Sequence, residues 1–382
     1  MNATFEKILS TVKEMYGNGG VPLHVPTFAG NEKKYLNECI DTTFVSSVGK
    51  FVDDFEKEIA AYTGAKYAIA VVNGTAALQL ALRLAGVEAG TEVITQSLSF
   101  VATANAILYN QATPVFLDVE RKTWGLSPEA VEQFLTESCE KRADGTYNKI
   151  TGKRIAAIVP MHTFGAICQI ERLVAIAEAW NIPLVEDAAE SLGSQLNGKH
   201  SGTFGKIAAV SYNGNKIITT GGGGMILTDD EELGKRAKFL STTAKQPHAW
   251  EFNHPEMGYN FRMPNINAAL GLAQLEEMHK MLDSKRAIAR RYQSVFEETG
   301  LDYLHFTNES NCWLNAVLLP DLAARDAFLT VCHENNVFAR PAWNLLHTLS
   351  YLGAFQHDAL ENSIFIAERA VNLPSSYLPH GK

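Results

Sequence analysis

From about residue 50 the chain alternates between two hydrophobic patterns. Short apolar, β-branched runs occur at YAIAVV (67–72), EVITQS (92–97), TPVFLDV (113–119), RIAAIVPMH (154–162), IPLVEDA (182–188), IAAVSY (207–212) and GMILTD (224–229). Between several of them lie stretches with helical spacing: TAALQLALRLAG (75–86), VATANAILYNQ (101–111), PEAVEQFLTES (128–138) and IERLVAIAEAWN (170–181). Ser127 followed by Pro128 reads as an N-cap with proline at the first helical position. Strands alternating with helices predict an α/β unit with a mainly parallel sheet.

After about residue 262 the pattern changes. One long helical run, INAALGLAQLEEMHKMLDSKRAIARRYQSVFEET, leads into a mixed segment. The expected organisation is an N-terminal extension over 1–35, a large α/β domain over 36–262, and a smaller α+β domain over 263–382. The extension could pack on either domain.

Composition narrows the function classes. Lys and Arg number 33 against 42 Asp and Glu, for a net charge of −9. That balance argues against a general nucleic-acid or acidic-membrane binder, whose footprint is basic. It leaves room for a small anion held in a locally positive site. The five cysteines are scattered with no CxxC pair, which argues against a disulfide framework or a zinc site, so no metal is expected. The N-terminus carries acids and no long apolar core, so a cytoplasmic protein is expected.

Three stretches carry candidate chemistry. In VVNGTAAL a strand ends at Asn73, Gly74 permits a tight turn and Thr75 opens a helix, so free N–H groups point at one spot suited to phosphate. An ordinary capped turn has the same sequence. In PLVEDAAES, Glu186 and Asp187 close an apolar strand, where ligands gather in open α/β sheets. A carboxylate there could hold a protonated ring nitrogen, or simply cap a following helix. In NGNKIITTGGGG, Lys216 precedes four glycines that have neither GxGxxG order nor P-loop spacing. A lysine so placed is either solvated or a Schiff-base former. Phosphate turn, acidic strand end and lysine, in that order, are what pyridoxal 5'-phosphate requires.

The chain resembles the sugar-nucleotide aminotransferases of the DegT/StrS type, which are fold-type I pyridoxal-phosphate enzymes. The resemblance runs from about Phe28 to Pro379 and rests on FEKEIAAYTGAKYAIAVVNGTAALQLAL, QSLSFVATANAI, TPVFLDV, VEDAAESLGS, SYNGNKIITTGGGGMILT and MGYNFRMPNINAALGLAQLE. It implies a large domain with a mainly parallel seven-stranded sheet flanked by helices. SSVGK with NGNKIITTGGGG is similar to the branch that aminates C4 of UDP- or GDP-linked 4-keto-6-deoxy-2-acetamido sugars, on routes to legionaminic acid and bacillosamine.

By that resemblance Lys216 forms the imine with the cofactor and acts as general acid/base, while Asp187 pairs with the pyridinium nitrogen. Gly74, Thr75 and Ser211 would hold the phosphate, and Phe100 would stack on the ring. Asn260 would reach the cofactor phosphate of a neighbouring subunit, making a homodimer with shared sites. Glu190 stands where the wider family commonly has His or Gln near the ring oxygen. On the substrate side, Ser46, Ser47 and Lys50 could contact the nucleotide sugar, or form a plain polar loop. Arg340, Trp343, His347 and Tyr351 fall in a segment that the resemblance places beside the sugar nucleotide; Trp343 and His347 could equally be packing neighbours on a helix. His162 reads as structural.

The expected activity is amino transfer from L-glutamate to a nucleotide-linked, preferably UDP-linked, 4-keto sugar (2-acetamido or 2,3-diacetamido) for surface amino-sugar biosynthesis. The alternatives are amination of a dTDP-linked 3-keto sugar, a sugar 3-dehydratase, and a non-catalytic binding regulator. The dehydratases carry histidine at the position of Lys216, which argues against that reading.

Overall fold

The computed structural model describes residues 3–379. Seven strands form the central sheet: β1 (Tyr67–Val71), β2 (Glu92–Gln96), β3 (Thr113–Leu117), β4 (Ile155–Val159), β5 (Val185–Asp187), β6 (Ile207–Ser211) and β7 (Gly224–Thr228). Each falls within one of the seven runs read from the sequence. Hydrogen-bonded ladders give the orders β3-β2-β4 and β1-β7-β6-β5. Parallel bridges from Ile158 to Leu184 and from Met161 to Asp187 join the two halves. The order is therefore 3-2-4-5-6-7-1, and only β7 runs antiparallel to its neighbours.

The strands are apolar on both faces because helices cover both. Ala68, Ala70, Ala208, Val210, Met225 and Leu227 pack with Phe55 of α3 (Lys50–Thr63). The alternate residues Ile69, Val71, Ile207, Ala209 and Ile226 pack with Leu78 and Leu82 of α4 (Gly74–Leu84) on the other face. The helices expected from spacing form as α4, α5 (Val101–Tyr109), α6 (Pro128–Ser138) and α7 (Ile170–Ala179). Ser127 caps α6 by accepting the Ala130 N–H at 3.2 Å.

The long C-terminal run is two helices, not one. α9 (Asn265–Glu276) and α10 (Met278–Thr299) break at Glu277. α9 packs into the core beside α3, with Gly271 so close to Phe55 that a Cβ would lie 2.7 Å from its ring. α10 and the three-stranded antiparallel sheet of Asn315–Leu318, Arg340–Pro341 and Ala370–Leu373 build a second core. The N-terminal helix α1 (Ala3–Tyr16) joins that core through Phe5, Ile8, Leu9, Val12 and Met15. No helix among the described residues is long and apolar enough to cross a membrane.

Candidate active site

A cavity of about 370 Å³ opens at the carboxyl ends of the parallel strands, where ligands sit in open α/β sheets. Its lining includes Gly74, Thr75, Phe100, Asp187, Glu190, Ser211, Lys216 and Trp343. These eight were each expected from sequence, and they come from segments up to 269 residues apart (Gly74 to Trp343, 343 − 74).

One end is built for an anion. Asn73 caps α4 by accepting the Ala76 N–H at 2.8 Å, so the first helical N–H groups of Gly74 and Thr75 remain directed at the cavity. Gly74 lies where expected, in the short turn between the end of β1 at Val71 and the start of α4. Its φ is not in the left-handed region, and what it supplies is space: a Cβ would meet Ser211 Cβ at 2.7 Å. Gly224 approaches the same wall from β7, where a Cβ would lie 2.5 Å from the carbonyl carbon of Asn73. Of the glycine run, Gly221 turns the chain with φ +80° and Gly224 permits this close approach.

The other end carries charge. Asp187 closes β5; its Oδ2 accepts from Thr103 Oγ1 at 2.8 Å and its Oδ1 from the Ala189 N–H at 3.2 Å. Burial pushes its carboxyl above the ordinary value, with those two bonds and Lys216 opposing. The capping alternative for this acidic pair is ruled out, since no helix follows. Its neighbour Glu186 faces the opposite side of the strand. There it accepts from the backbone N–H groups of Gly202, Phe204 and Gly205, and lies 3.0 Å from His162 Nε2. These partners outweigh burial and hold Glu186 below its ordinary value. His162 lies in this buried network, outside the cavity lining, as a structural role requires.

Lys216 Nζ lies between Glu190 Oε1 at 3.3 Å and the Trp313 ring, whose centroid is 4.1 Å away. Glu190 Oε2 accepts the Phe164 N–H at 2.9 Å. Burial pushes the Glu190 carboxyl up, Asp187 adds to this, and Lys216 and the Phe164 N–H oppose it. Trp313 was not found from sequence: within NCWLNAVLL it looks like core. Its Nε1 donates to the Asn215 carbonyl at 2.8 Å, fixing the residue beside the lysine. Thr103 was also missed, though a hydroxyl one helical turn after Phe100 in a mostly apolar helix was a usable signal.

Other expected residues lie elsewhere. Ser47 lines a separate hollow of about 180 Å³ with Lys238 and Arg262, and Lys50 is exposed and paired with Glu38. Asn260 is exposed and outside the cavity of its own chain. Arg340 is exposed in its short strand, and His347 sits behind the cavity with Nδ1 2.8 Å from Ser97 Oγ. Trp343 and His347 do not share a helix: only a 3-10 turn over Leu346–Thr348 forms, and Trp343 instead packs on Phe164 with centroids 4.6 Å apart.

Residues 26–378 match the family described as DegT/DnrJ/EryC1/StrS aminotransferases. The chain belongs to that family. EpsN from Bacillus subtilis (strain 168), provisionally named a pyridoxal phosphate-dependent aminotransferase, is 40% identical over 331 residues, 85% of this chain and 82% of EpsN. A GDP-perosamine synthase from Escherichia coli O157:H7 is 36% identical over 359 residues, 93% of each chain. Among solved structures, the aminotransferase TlmJ from Streptoalloteichus hindustanus superposes with a TM-score of 0.84 at 28% identity, over 94% of each chain. The fold is fold-type I, the enzyme is a sugar aminotransferase, and its cofactor is pyridoxal phosphate.

The residues present fit that cofactor. A carboxylate buried with only neutral donors suits a cationic ring nitrogen, the glycine-lined helix end suits a phosphate, and an amine lies in the same cavity. When bound, the cofactor supplies the electron sink that labilises a bond at the amine-bearing carbon.

Proposed function

We propose that this enzyme moves an amino group from L-glutamate to C4 of a UDP-linked 4-keto-6-deoxy-2-acetamido (or 2,3-diacetamido) hexose. It would serve bacterial surface amino-sugar biosynthesis, in the legionaminic acid and bacillosamine type of pathway, as a cytoplasmic homodimer. The observation that carries the amino-transfer chemistry is the meeting of Lys216, Asp187 and the Gly74–Thr75–Ser211 cup in one cavity. Lys216 is the group that holds and moves the proton, Asp187 balances the ring nitrogen, and the cup takes the phosphate. Phe100, half exposed at the mouth, offers a flat face to the ring.

For the substrate, Ser47, Lys50, Arg340, Trp343 and His347 are the proposed contacts. Only Trp343 lines the Lys216 cavity, so Ser47 and Lys50 are assigned to the site of a second subunit. An exposed Asn260 fits the same arrangement, as do the exposed apolar residues Phe44, Val48, Trp250, Phe252 and Met257. A GDP-linked sugar is the second reading, favoured by the 36% identity to a GDP-perosamine synthase.

The deciding experiment incubates enzyme and glutamate with UDP-, GDP- and dTDP-linked 4-keto and 3-keto sugars. Mass spectrometry reads which gains the amine and NMR fixes the carbon. Amination of the GDP sugar alone would replace the UDP assignment, and a 3-amino product would replace C4. Lys216→Ala must abolish turnover; normal amination by that variant sinks the reading. Sedimentation checks the dimer, and mixing Lys216→Ala with Asn260→Ala chains checks whether sites are shared.

A further inference from the structure

We propose that the C-terminal part of the chain holds a second ligand site, specific for a small organic phosphate. A cavity of about 210 Å³ lies between α10 and residues 303–316. Arg286, Arg290 and Gln293 form one wall, at spacings of four and three residues that place them on one face of α10. Tyr303, Phe306 and Phe296 supply an aromatic wall, and Thr307 and Asn308 add hydroxyl and amide groups. None of the lining residues is a carboxylate. On a chain with a net charge of −9, that is a local reversal of sign.

The two arginines are available. Arg286 Nε donates to the Ser310 carbonyl at 3.1 Å, which fixes the guanidinium and leaves its terminal nitrogens free of any hydrogen bond among the described residues. Arg290 forms no hydrogen bond or ion pair among the described residues. Glu297 borders this face, its Oε1 accepting from Gln293 Nε2 at 2.8 Å and from Tyr303 OH at 3.3 Å, and it forms no ion pair with either arginine among the described residues. The buried Cys312 thiol in the pocket senses the positive field. Burial pushes it up to about 12, while Arg286, Lys285 and Arg290 all pull the other way.

Two guanidinium groups one helical turn apart suit a dianion, and each offers the planar fork that phosphate oxygens accept. The aromatic wall favours a ring or short carbon body over the bare ion. The volume falls below the roughly 300–1,000 Å³ of sites for drug-sized ligands, so the body it encloses is small. No residue of this pocket lines the Lys216 cavity. The two are nonetheless adjacent along the chain, since Cys312 lines one and Trp313 the other.

The test is calorimetric titration of the holoenzyme, whose own phosphate cup is filled, with phenyl phosphate, inorganic phosphate and benzoate. Phenyl phosphate should bind with one site per chain and tighter than the other two. Arg290→Gln should weaken it roughly 10- to 100-fold, the value of one charge-assisted hydrogen bond, with cofactor absorbance and turnover unchanged. Arg286→Gln should weaken it as well; if that variant fails to fold, Arg290 decides alone, because it has no partner to lose. Absence of saturable binding, or unchanged affinity in Arg290→Gln, overturns the site. Equal binding of inorganic phosphate overturns the organic body, and equal binding of benzoate overturns the phosphate.

Discussion

The amine of Lys216 lies 3.3 Å from Oε1 of Glu190; the carboxylate is buried and the lysine half-buried, and both line the active-site cavity. Glu190 is held through its second oxygen by the Phe164 N–H, so the carboxylate cannot swing away without leaving that donor unpaired.

Glu190 should therefore set the acid limb of the pH profile. Its carboxyl is pushed up by burial, so the pairing with Lys216 is present above a raised value and is lost as pH falls through it. The limb in kcat/KM is expected above the ordinary Glu value of 4.5 and should disappear in Glu190→Gln. A profile between pH 5 and 9 measures this; an identical limb in the variant means another group carries it.

Trp313 should act as a positioning residue for Lys216. Trp313→Phe keeps a ring near the amine and loses the N–H bond to Asn215, an interaction worth about 1 kcal/mol. Trp313→Leu loses the cation–π contact too, for roughly 0.5–1 kcal/mol more. The expected order of kcat is wild type, Phe, then Leu, with the glutamate KM little changed. Retention of full kcat by the Leu variant, with only its melting temperature lowered, would leave Trp313 a purely structural role.

Gly224→Ala should weaken cofactor binding by at least about tenfold. The added methyl meets the Asn73–Gly74 backbone at 2.5–2.8 Å, and a peptide group in a strand-to-helix turn cannot rotate away as a side chain can. Loss of the cofactor's visible absorbance on dialysis reads the effect. Gly222→Ala, where nothing lies within 4 Å, is the matched control and should retain the cofactor.

The seven strands of the central sheet were legible because continuous apolar, β-branched runs mark strands covered on both faces, and α4 to α7 because their helical spacing is strong; α1 (Ala3–Tyr16) and α3 (Lys50–Thr63) were not read. The site was legible where chain order met a chemical requirement: Lys216, Asp187 and the Asn73–Thr75 turn each sit next to a strand end, and strand ends converge at one edge of such a sheet. Trp313 was not legible, because its contact with Lys216 depends on how the C-terminal part docks, and an indole in an apolar run has the composition of core. The break in the long helical run was not legible, because its apolar spacing continues through Glu277; α9 packs against α2 (Glu32–Asp41) and α3, and α10 leaves them. The need for space at Gly74 was not legible either, because it comes from Ser211, distant in the chain.

His200 is buried and neutral by construction: Nε2 accepts the Gly193 N–H at 2.7 Å, and Nδ1 donates to the Ser201 carbonyl. Protonation would turn the accepting nitrogen into a donor facing a donor. Burial accordingly lowers its pKa from 6.5 to about 4. Between those values the unfolded chain takes up a proton and the folded chain does not, so the native state loses stability as pH falls from 6.5 to about 4. Over that interval the loss reaches roughly 3 kcal/mol. Gly193 and Ser194 lie three and four residues after Glu190, and Ser194 Oγ accepts the Asn311 N–H at 2.9 Å, so the loosened loop is one that borders the active site. Thermal unfolding from pH 4 to 7 should show the decline in the wild type. In His200→Gln the protein should be less stable at pH 7, because the Gly193 N–H loses its acceptor, and the decline toward pH 4 should be shallower. Parallel curves for the two proteins would show that His200 does not supply the acid sensitivity.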